Sequence, residues 1–71
     1  MNTYTLPGCR RKLRTGATRR FLIVSVYEGR PRVECTTDDE DAAARLIRTY
    51  RTEFGPAATL HLLDQTGRGG S

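Results

Sequence analysis

The sequence predicts a small single-domain α+β fold in which one helix packs on a mainly antiparallel sheet of three strands, or of four if an N-terminal strand joins it. Two observations lead to this prediction. Two segments rich in β-forming residues flank a glycine-containing turn, and an amphipathic segment with a helix-capping pattern follows them before a last alternating segment. A chain of 71 residues has room for one domain. The predicted order is therefore β-β-α-β.

The first two strands are expected to form a hairpin. Residues 21–27 are rich in β-branched and aromatic side chains, and residues 32–36 alternate between polar and apolar side chains. We place the two-residue loop at Gly29-Arg30, where glycine supplies the positive φ that a type II′ turn requires. The resulting register pairs Val26 with Val33 and Val24 with Cys35 on one face, and Tyr27 with Arg32 and Ser25 with Glu34 on the other.

The helix is predicted to begin with a capping box. Residues 37–40 read Thr-Asp-Asp-Glu, so the first hydroxyl and the last carboxylate can each accept from an unpaired backbone N–H. Helical spacing places one apolar stripe on the sheet, and Gly55-Pro56 ends the helix. The stripe consists of Ala43, Leu46, Ile47, Tyr50 and Phe54.

A last strand over residues 58–63 completes the predicted sheet, with Leu60 and Leu62 towards the helix. A right-handed crossover places this strand beside the first one, which makes the first hairpin strand central. One face of this sheet then lacks a helix above it. That open face would carry Phe21, Ile23, Ser25, Tyr27, Arg32, Glu34, Thr59, His61 and Leu63.

Three occupants of the open face are considered, and they define the functional hypotheses. The first is the chain itself, because residues 2–6 alternate like a short strand and Tyr4 and Leu6 can cover the face or extend the sheet edge. The second is a protein partner or a second copy bound to the exposed apolar patch. The third is nucleic acid, whose bases would stack on Phe21 and Tyr27 while Arg32 meets a phosphate.

Positive charge is concentrated at the N-terminus. The formal net charge is +4, yet residues 1–20 contain no acid and all of the following basic residues: Arg10, Arg11, Lys12, Arg14, Arg19 and Arg20. We expect these side chains to contact the phosphates of DNA or RNA through salt-sensitive attraction. Because residues 9–18 show no apolar periodicity, they are interpreted as loop or disorder. The predicted organisation is a basic arm at 1–20 with a possible strand at 2–6, a domain at 21–64 and a flexible tail at 65–71.

The sequence predicts no catalytic residue, metal site, cofactor or small-molecule substrate. The acids at residues 38–41 are favoured by the dipole of the helix that they begin, and His61 has no assigned nucleophile beside it. Cys9 and Cys35 lack the further ligands that a zinc site needs. No apolar run is long enough for a membrane span, and no secretory signal is recognised, so a cytoplasmic location is expected.

The hairpin followed by a capped helix rich in acids and alanines, over about residues 20–54, resembles part of the arm-type DNA-binding domain of tyrosine recombinases. Those domains place three strands before the helix, whereas a strand follows the helix here. The resemblance implies contact with DNA and assigns no residue a role. The sequence therefore predicts a non-enzymatic binding module for nucleic acid. The alternative is a protein-interaction or homodimerisation module that uses the open sheet face, with the basic arm as a solvated terminus.

Overall fold

The structure, a computed structural model, describes residues 2–65 and confirms the predicted α+β class. The elements are β1 (Asn2–Tyr4), β2 (Leu13–Thr15), β3 (Phe21–Tyr27), β4 (Arg30–Thr37), α1 (Glu40–Phe54), a 3-10 turn (Gly55–Ala57) and β5 (Thr59–Asp64). From β3 onward the order is β-β-α-β. The central strand β3 pairs antiparallel with β4 on one side and β5 on the other, which confirms the predicted spatial order.

Strand β3 is almost fully buried because both faces of the sheet are covered. Leu22, Ile23 and Val24 have no solvent exposure. Helix α1 lies over the face that carries Ile23, and its Ala43 is fully buried. On the other face, the N-terminal segment supplies buried leucines that pack on alternate β3 side chains. This second cluster consists of Leu6, Leu13, Leu22, Val24 and Val26.

The occupant of the second face is therefore the chain's own N-terminus, with Tyr4 and Leu6 against the core as the first hypothesis proposed. Strand β1 pairs with β2 in a separate two-stranded sheet, so it does not extend the main sheet. The interpretation of residues 9–18 as loop or disorder is wrong at β2. Because β2 has only three residues and buries only Leu13, its sequence shows no alternation that would indicate a strand.

The hairpin turn differs from its prediction. The two loop residues are Glu28 and Gly29, with φ of 53° and 77°, so the turn is type I′ and both positions are left-handed. Tyr27 lies opposite Arg30 and Val24 lies opposite Val33. The four predicted pairs are therefore wrong, because a non-glycine residue takes the first left-handed position.

A β-bulge in β4 changes which side chains share a face. The pairing passes from Val24 opposite Val33 to Ile23 opposite Cys35, so Glu34 is the extra residue. The insertion moves Cys35 to the helix side while Val33 stays on the N-terminal side. The predicted open face is also wrong for β3, because the helix covers the face that carries Ile23 and not the face that carries Val24: Phe21, Ile23, Ser25 and Tyr27 lie on the helix side, as Leu60 and Leu62 do. Arg32 pairs with Ser25 and lies on the helix side as well. Thr59, His61 and Leu63 lie on the N-terminal side.

The helix ends as predicted and begins differently. Gly55 follows the helix with φ of 66°, and its N–H donates to the carbonyl oxygen of Arg51. The N-cap is Asp39, whose carboxylate accepts from the Asp41 N–H at 3.0 Å, so the predicted capping box with Thr37 as N-cap is wrong. The Thr37 hydroxyl does accept from a backbone N–H, that of Asp39 at 3.1 Å. Within residues 2–65, no helix is long and apolar enough to cross a membrane.

The predicted flexible tail begins at Gln65, and its residues 66–71 lie outside the described part of the chain. Gln65 itself is held in place. Its backbone N–H donates to the Arg20 carbonyl at 2.8 Å, and its side-chain amide donates to the carbonyls of Ala17 and Arg19. These bonds join the end of β5 to the connection between β2 and β3.

Candidate functional site

An open cleft lies where the loop between β1 and β2 meets the β3–β4 turn. The Arg10 backbone N–H donates to the Gly29 carbonyl oxygen at 3.0 Å and holds the loop against the turn. The cleft has a volume of about 660 Å³. We call it the basic cleft, and its lining residues are Gly8, Arg10, Arg11, Glu28, Gly29 and Arg30.

The electrostatics of the basic cleft favour an anion. Three arginines line it against the single carboxylate of Glu28. All three are exposed, and none of them forms an ion pair with an acid among residues 2–65. Guanidinium groups present planar forks of N–H donors that match phosphate oxygens. The cleft therefore offers uncommitted donors that suit a phosphate group.

Glu28 is unfavourable both for the turn and for the charge of the cleft, which leads to a prediction. We expect Glu28→Asn to raise the free energy of unfolding by about 0.5–1 kcal/mol, because Asn-Gly is a preferred pair in type I′ turns. Glu28→Gln removes the same charge without favouring the left-handed backbone. Urea unfolding of both variants separates the two effects: equal stabilisation by Gln would contradict the backbone argument.

A second concavity, the apolar groove, lies between the β3–β4 hairpin and the C-terminal end of α1. It is open and has a volume of about 750 Å³. The groove is lined by Ser25, Tyr27, Arg30, Pro31, Arg32, Glu34, Glu53, Phe54, Ala57 and Ala58. Tyr27 is 56% exposed and lies directly opposite Arg30 on the hairpin. Because Arg30 lines both concavities, the basic cleft and the apolar groove meet at this residue.

The floor of the apolar groove is polar and internally paired. The Ser25 hydroxyl donates to Glu34 Oε2 at 2.6 Å, and Arg32 Nε lies 4.0 Å from the same oxygen. Ser25 is buried, whereas the Arg32 side chain is 81% exposed. Glu34 belongs to the groove because it is the bulge residue of β4. This carboxylate keeps acceptor capacity, and Glu53 in the same lining adds a second carboxylate.

Tyr50 on α1 lies next to this floor, and its ring centroid is 5.6 Å from that of Phe54. Burial raises the pKa of Tyr50 above its ordinary value of about 10, and the Cys35 thiol and the carboxylates of Glu34 and Glu53 raise it further. The phenol is therefore neutral at physiological pH. It belongs to the packing between α1 and β4.

The structure brings some of the predicted contact residues together and separates others. Arg10, Arg11, Tyr27 and Arg32 lie around the two concavities. Lys12 and Arg14 are exposed on the preceding loop and on β2. Arg19 and Arg20 lie at the other end of β3, roughly 20 Å away for a strand of this length. There Arg19 pairs with Asp38 at 3.7 Å and Arg20 with Asp64 at 3.3 Å.

Phe21 is not placed as predicted. Its side chain lies on the helix side, only 3% of the residue is exposed, and the Arg20 guanidinium lies 4.6 Å from the ring centroid. A nucleic acid base cannot stack on this ring without displacing its covering. Arg30 was not predicted as a contact residue, because the predicted register placed it in the turn, whereas it lines both concavities. The Glu28-Gly29 pair could have indicated this position of Arg30, because it fits a type I′ loop if glutamate adopts a positive φ.

Other chemically active side chains are dispersed. Cys9 packs on the N-terminal side of the sheet and Cys35 lies on the helix side, and both thiols are free. Nε2 of His61 is buried without a hydrogen-bond partner among the described residues. Within residues 2–65, no three histidine, cysteine or acidic side chains are grouped so that they could hold a metal ion.

Comparison with known protein families, with curated proteins and with solved structures found no match to this chain.

Proposed function

We propose that this protein is a non-enzymatic module that binds nucleic acid through the basic cleft and the apolar groove. The observation that supports this most directly is the junction of the two concavities at Arg30, beside the exposed Tyr27. Phosphates would bind Arg10, Arg11 and Arg30, and a base would stack on Tyr27. The proposal includes a cytoplasmic location, where such partners are found.

The order of the side chains supports a single strand as the ligand. Proteins that bind single strands combine a cationic track for the backbone with aromatic rings on which unpaired bases stack. Here Tyr27 and Arg30 lie side by side on one hairpin, and the loop that carries Arg10 and Arg11 is held against the turn of that hairpin. In a duplex the faces of the bases are stacked on each other and the ring would contact only sugar and phosphate. We therefore expect single-stranded RNA or DNA to bind more tightly than duplex DNA of the same length.

The polar floor of the apolar groove adds a possible preference among bases. Glutamate side chains accept hydrogen bonds from exocyclic amino groups of bases. Glu34 and Glu53 both line the groove. Bases that carry amino groups, cytosine, adenine and guanine, would therefore bind better than uracil or thymine.

The alternative hypothesis is that the protein binds a protein partner or a second copy. The surface predicted for this binding, the apolar patch on the open sheet face, is not exposed in the structure. Phe21 and Ile23 are buried under the helix side, and Leu63 packs against the N-terminal cluster. Among the described residues, the large hydrophobic side chains that remain exposed are Tyr27 and Leu62. Tyr27 is assigned here to the nucleic acid.

The stacking role of Tyr27 has a direct test. We expect Tyr27→Ala to weaken binding of single-stranded RNA by about tenfold, because stacking of one base on an aromatic ring contributes about 1–3 kcal/mol. Tyr27→Phe keeps the ring and should bind like the original protein. Fluorescence anisotropy with a labelled oligonucleotide measures both. Equal affinity of the Ala and Phe variants would remove Tyr27 from the interface.

The proposal as a whole is tested by amide-shift NMR titration with single-stranded RNA and with duplex DNA, each at low and at high salt. Shifts at residues 10–11 and 27–32, together with shifts at Phe54 in the wall of the apolar groove, would support the proposed interface. Shifts restricted to the cleft, and lost at high salt, would reduce the function to electrostatic attraction without base contact. No shifts at low salt would refute binding of nucleic acid.

A further inference from the structure

The main sheet has two edges, and they differ in how they are protected. Edge strands of monomers are usually interrupted by proline, bulges or charges, or are covered by another segment. Strand β4 has all of these features: Pro31, the bulge at Glu34, the charges of Arg30 and Arg32, and β2 packed beside it. Its outer edge is poorly suited to accept a further strand.

Strand β5 has almost none of these protections, since its single charged residue, Asp64, lies at the C-terminal end of the strand. It reads Thr-Leu-His-Leu-Leu-Asp, without proline, glycine, lysine, arginine or a bulge, and within residues 2–65 it pairs only with β3. One of the two exposed large hydrophobic side chains in the described chain belongs to it, since Leu62 is 42% exposed. The strand is therefore both open along its backbone and apolar at its centre.

The direction of the backbone groups follows from the pairing with β3. The Gln65 N–H donates to the Arg20 carbonyl, which makes this a hydrogen-bonded pair. Pairs of this type alternate with non-hydrogen-bonded pairs in an antiparallel ladder, so Leu63 and His61 also point their backbone groups at β3. Leu60 and Leu62 therefore point theirs outward. No described residue hydrogen-bonds to these groups.

We propose that β5 pairs antiparallel with β5 of a second copy of the chain, about a two-fold axis at His61. This register places Leu60 opposite Leu62 of the second copy, and Leu62 opposite Leu60 of the second copy. These two pairs exchange the outward N–H and C=O groups of both strands. Each exposed Leu62 is then covered by an apolar neighbour on the helix side of a continuous six-stranded sheet.

A second copy suits this edge better than an unrelated strand for two reasons. The strand is self-complementary in this register, because Leu60 and Leu62 lie at equal distances on either side of His61. The two-fold axis therefore places each leucine opposite a leucine of the second copy. In addition, β5 contains no arginine or lysine, so two chains of net charge +4 meet along a strand that has none of their basic residues. The basic cleft lies at the β3–β4 turn and stays outside the dimer contact.

The association is tested by sedimentation equilibrium of the full chain over a range up to millimolar concentration. The original protein is expected to form dimers. Leu62→Lys should raise the dimer dissociation constant by about tenfold or more, because it places a charge at the centre of the edge. Tyr27→Lys changes the other exposed hydrophobic residue in the same way and should leave the dimer intact. A protein that stays monomeric, or a dimer lost with Tyr27→Lys and kept with Leu62→Lys, would overturn the proposal.

The register has its own test by cysteine crosslinking. His61→Cys brings two thiols together on the axis, where the Cα atoms of a non-hydrogen-bonded pair lie about 4.5 Å apart, within reach of a disulfide. Thr59→Cys places its two Cα atoms roughly 13 Å apart and should not crosslink. The original protein under the same oxidant controls for Cys9 and Cys35. Circular dichroism verifies that each variant is folded. Crosslinking of Thr59→Cys in preference to His61→Cys would contradict this register.

Discussion

Reversing the charges of the basic cleft with Arg10→Glu, Arg11→Glu and Arg30→Glu should weaken binding of single-stranded nucleic acid by more than about a hundredfold at moderate salt. The three guanidinium groups are exposed and unpaired among the described residues, so nothing in the fold depends on their charge. The triple variant should therefore keep its melting transition while it loses binding. The dependence of binding on salt should fall as well, by about two in the slope of log K against log salt, because three phosphate contacts are removed.

The chain contains a matched control for this experiment. Arg45, Arg48 and Arg51 are exposed on α1, line neither concavity, and change the net charge by the same amount when they are replaced by glutamate. We expect this helix variant to lose much less affinity than the cleft variant. If the two variants lose the same affinity, binding depends on net charge alone and the basic cleft is not the site. If both bind like the original protein, the phosphate contacts must be abandoned.

Removing residues 1–15 should abolish cooperative folding, which is the second large effect that we expect. The deletion takes away Leu6 and Leu13 and exposes one face of β3. A domain of this size has little stability in reserve, whereas loss of a buried leucine side chain costs about 2–5 kcal/mol. Thermal and urea unfolding, followed by circular dichroism, measure the effect. A truncated chain with a sharp melting transition would show that β3, β4, α1 and β5 fold without the leucines of the N-terminal segment.

Point variants test whether the buried side chains of the N-terminal segment stabilise the fold when the whole segment is kept. Leu13→Ala should lower the free energy of unfolding by about 2–4 kcal/mol, since the side chain is buried against β3. Leu62→Ala removes the same number of atoms from a position that is 42% exposed in a single copy, so at a protein concentration low enough to keep the chain monomeric it should cost less than about 1 kcal/mol. Similar losses in the two variants would contradict the packing that the structure describes.

The two large predictions concern the same segment in different ways. Leu6 and Leu13 fix the N-terminal residues to the sheet, and this attachment holds Arg10 and Arg11 beside the β3–β4 turn. A free basic arm would attract phosphates without a defined position. The attached segment presents its cations at a fixed place next to Tyr27, and this fixed arrangement is what a base-contacting site needs.

Local patterns in the sequence were sufficient for the fold class, the central position of β3 and the end of α1. A strand of seven residues that is apolar or aromatic at every position but one requires burial on both faces, and glycine followed by proline ends a helix whatever lies around it. The sequence also contained the basic residues of the cleft. It could not divide them into Arg10 and Arg11, which line the cleft, and Arg19 and Arg20, which pair with acids at the far end of β3.

Only the tertiary structure decided which face of the sheet each side chain occupies, because period-two alternation is reversed by a single inserted residue. The bulge at Glu34 and the left-handed Glu28 are favoured by the packing of β4 as a whole rather than by their own preferences. The same holds for β2, because its single buried leucine is buried only by packing on the face of β3 that it covers. The candidate site depends on these three features, since together they bring the N-terminal loop, the hairpin turn and the end of α1 to the end of the sheet at which Arg30 lies.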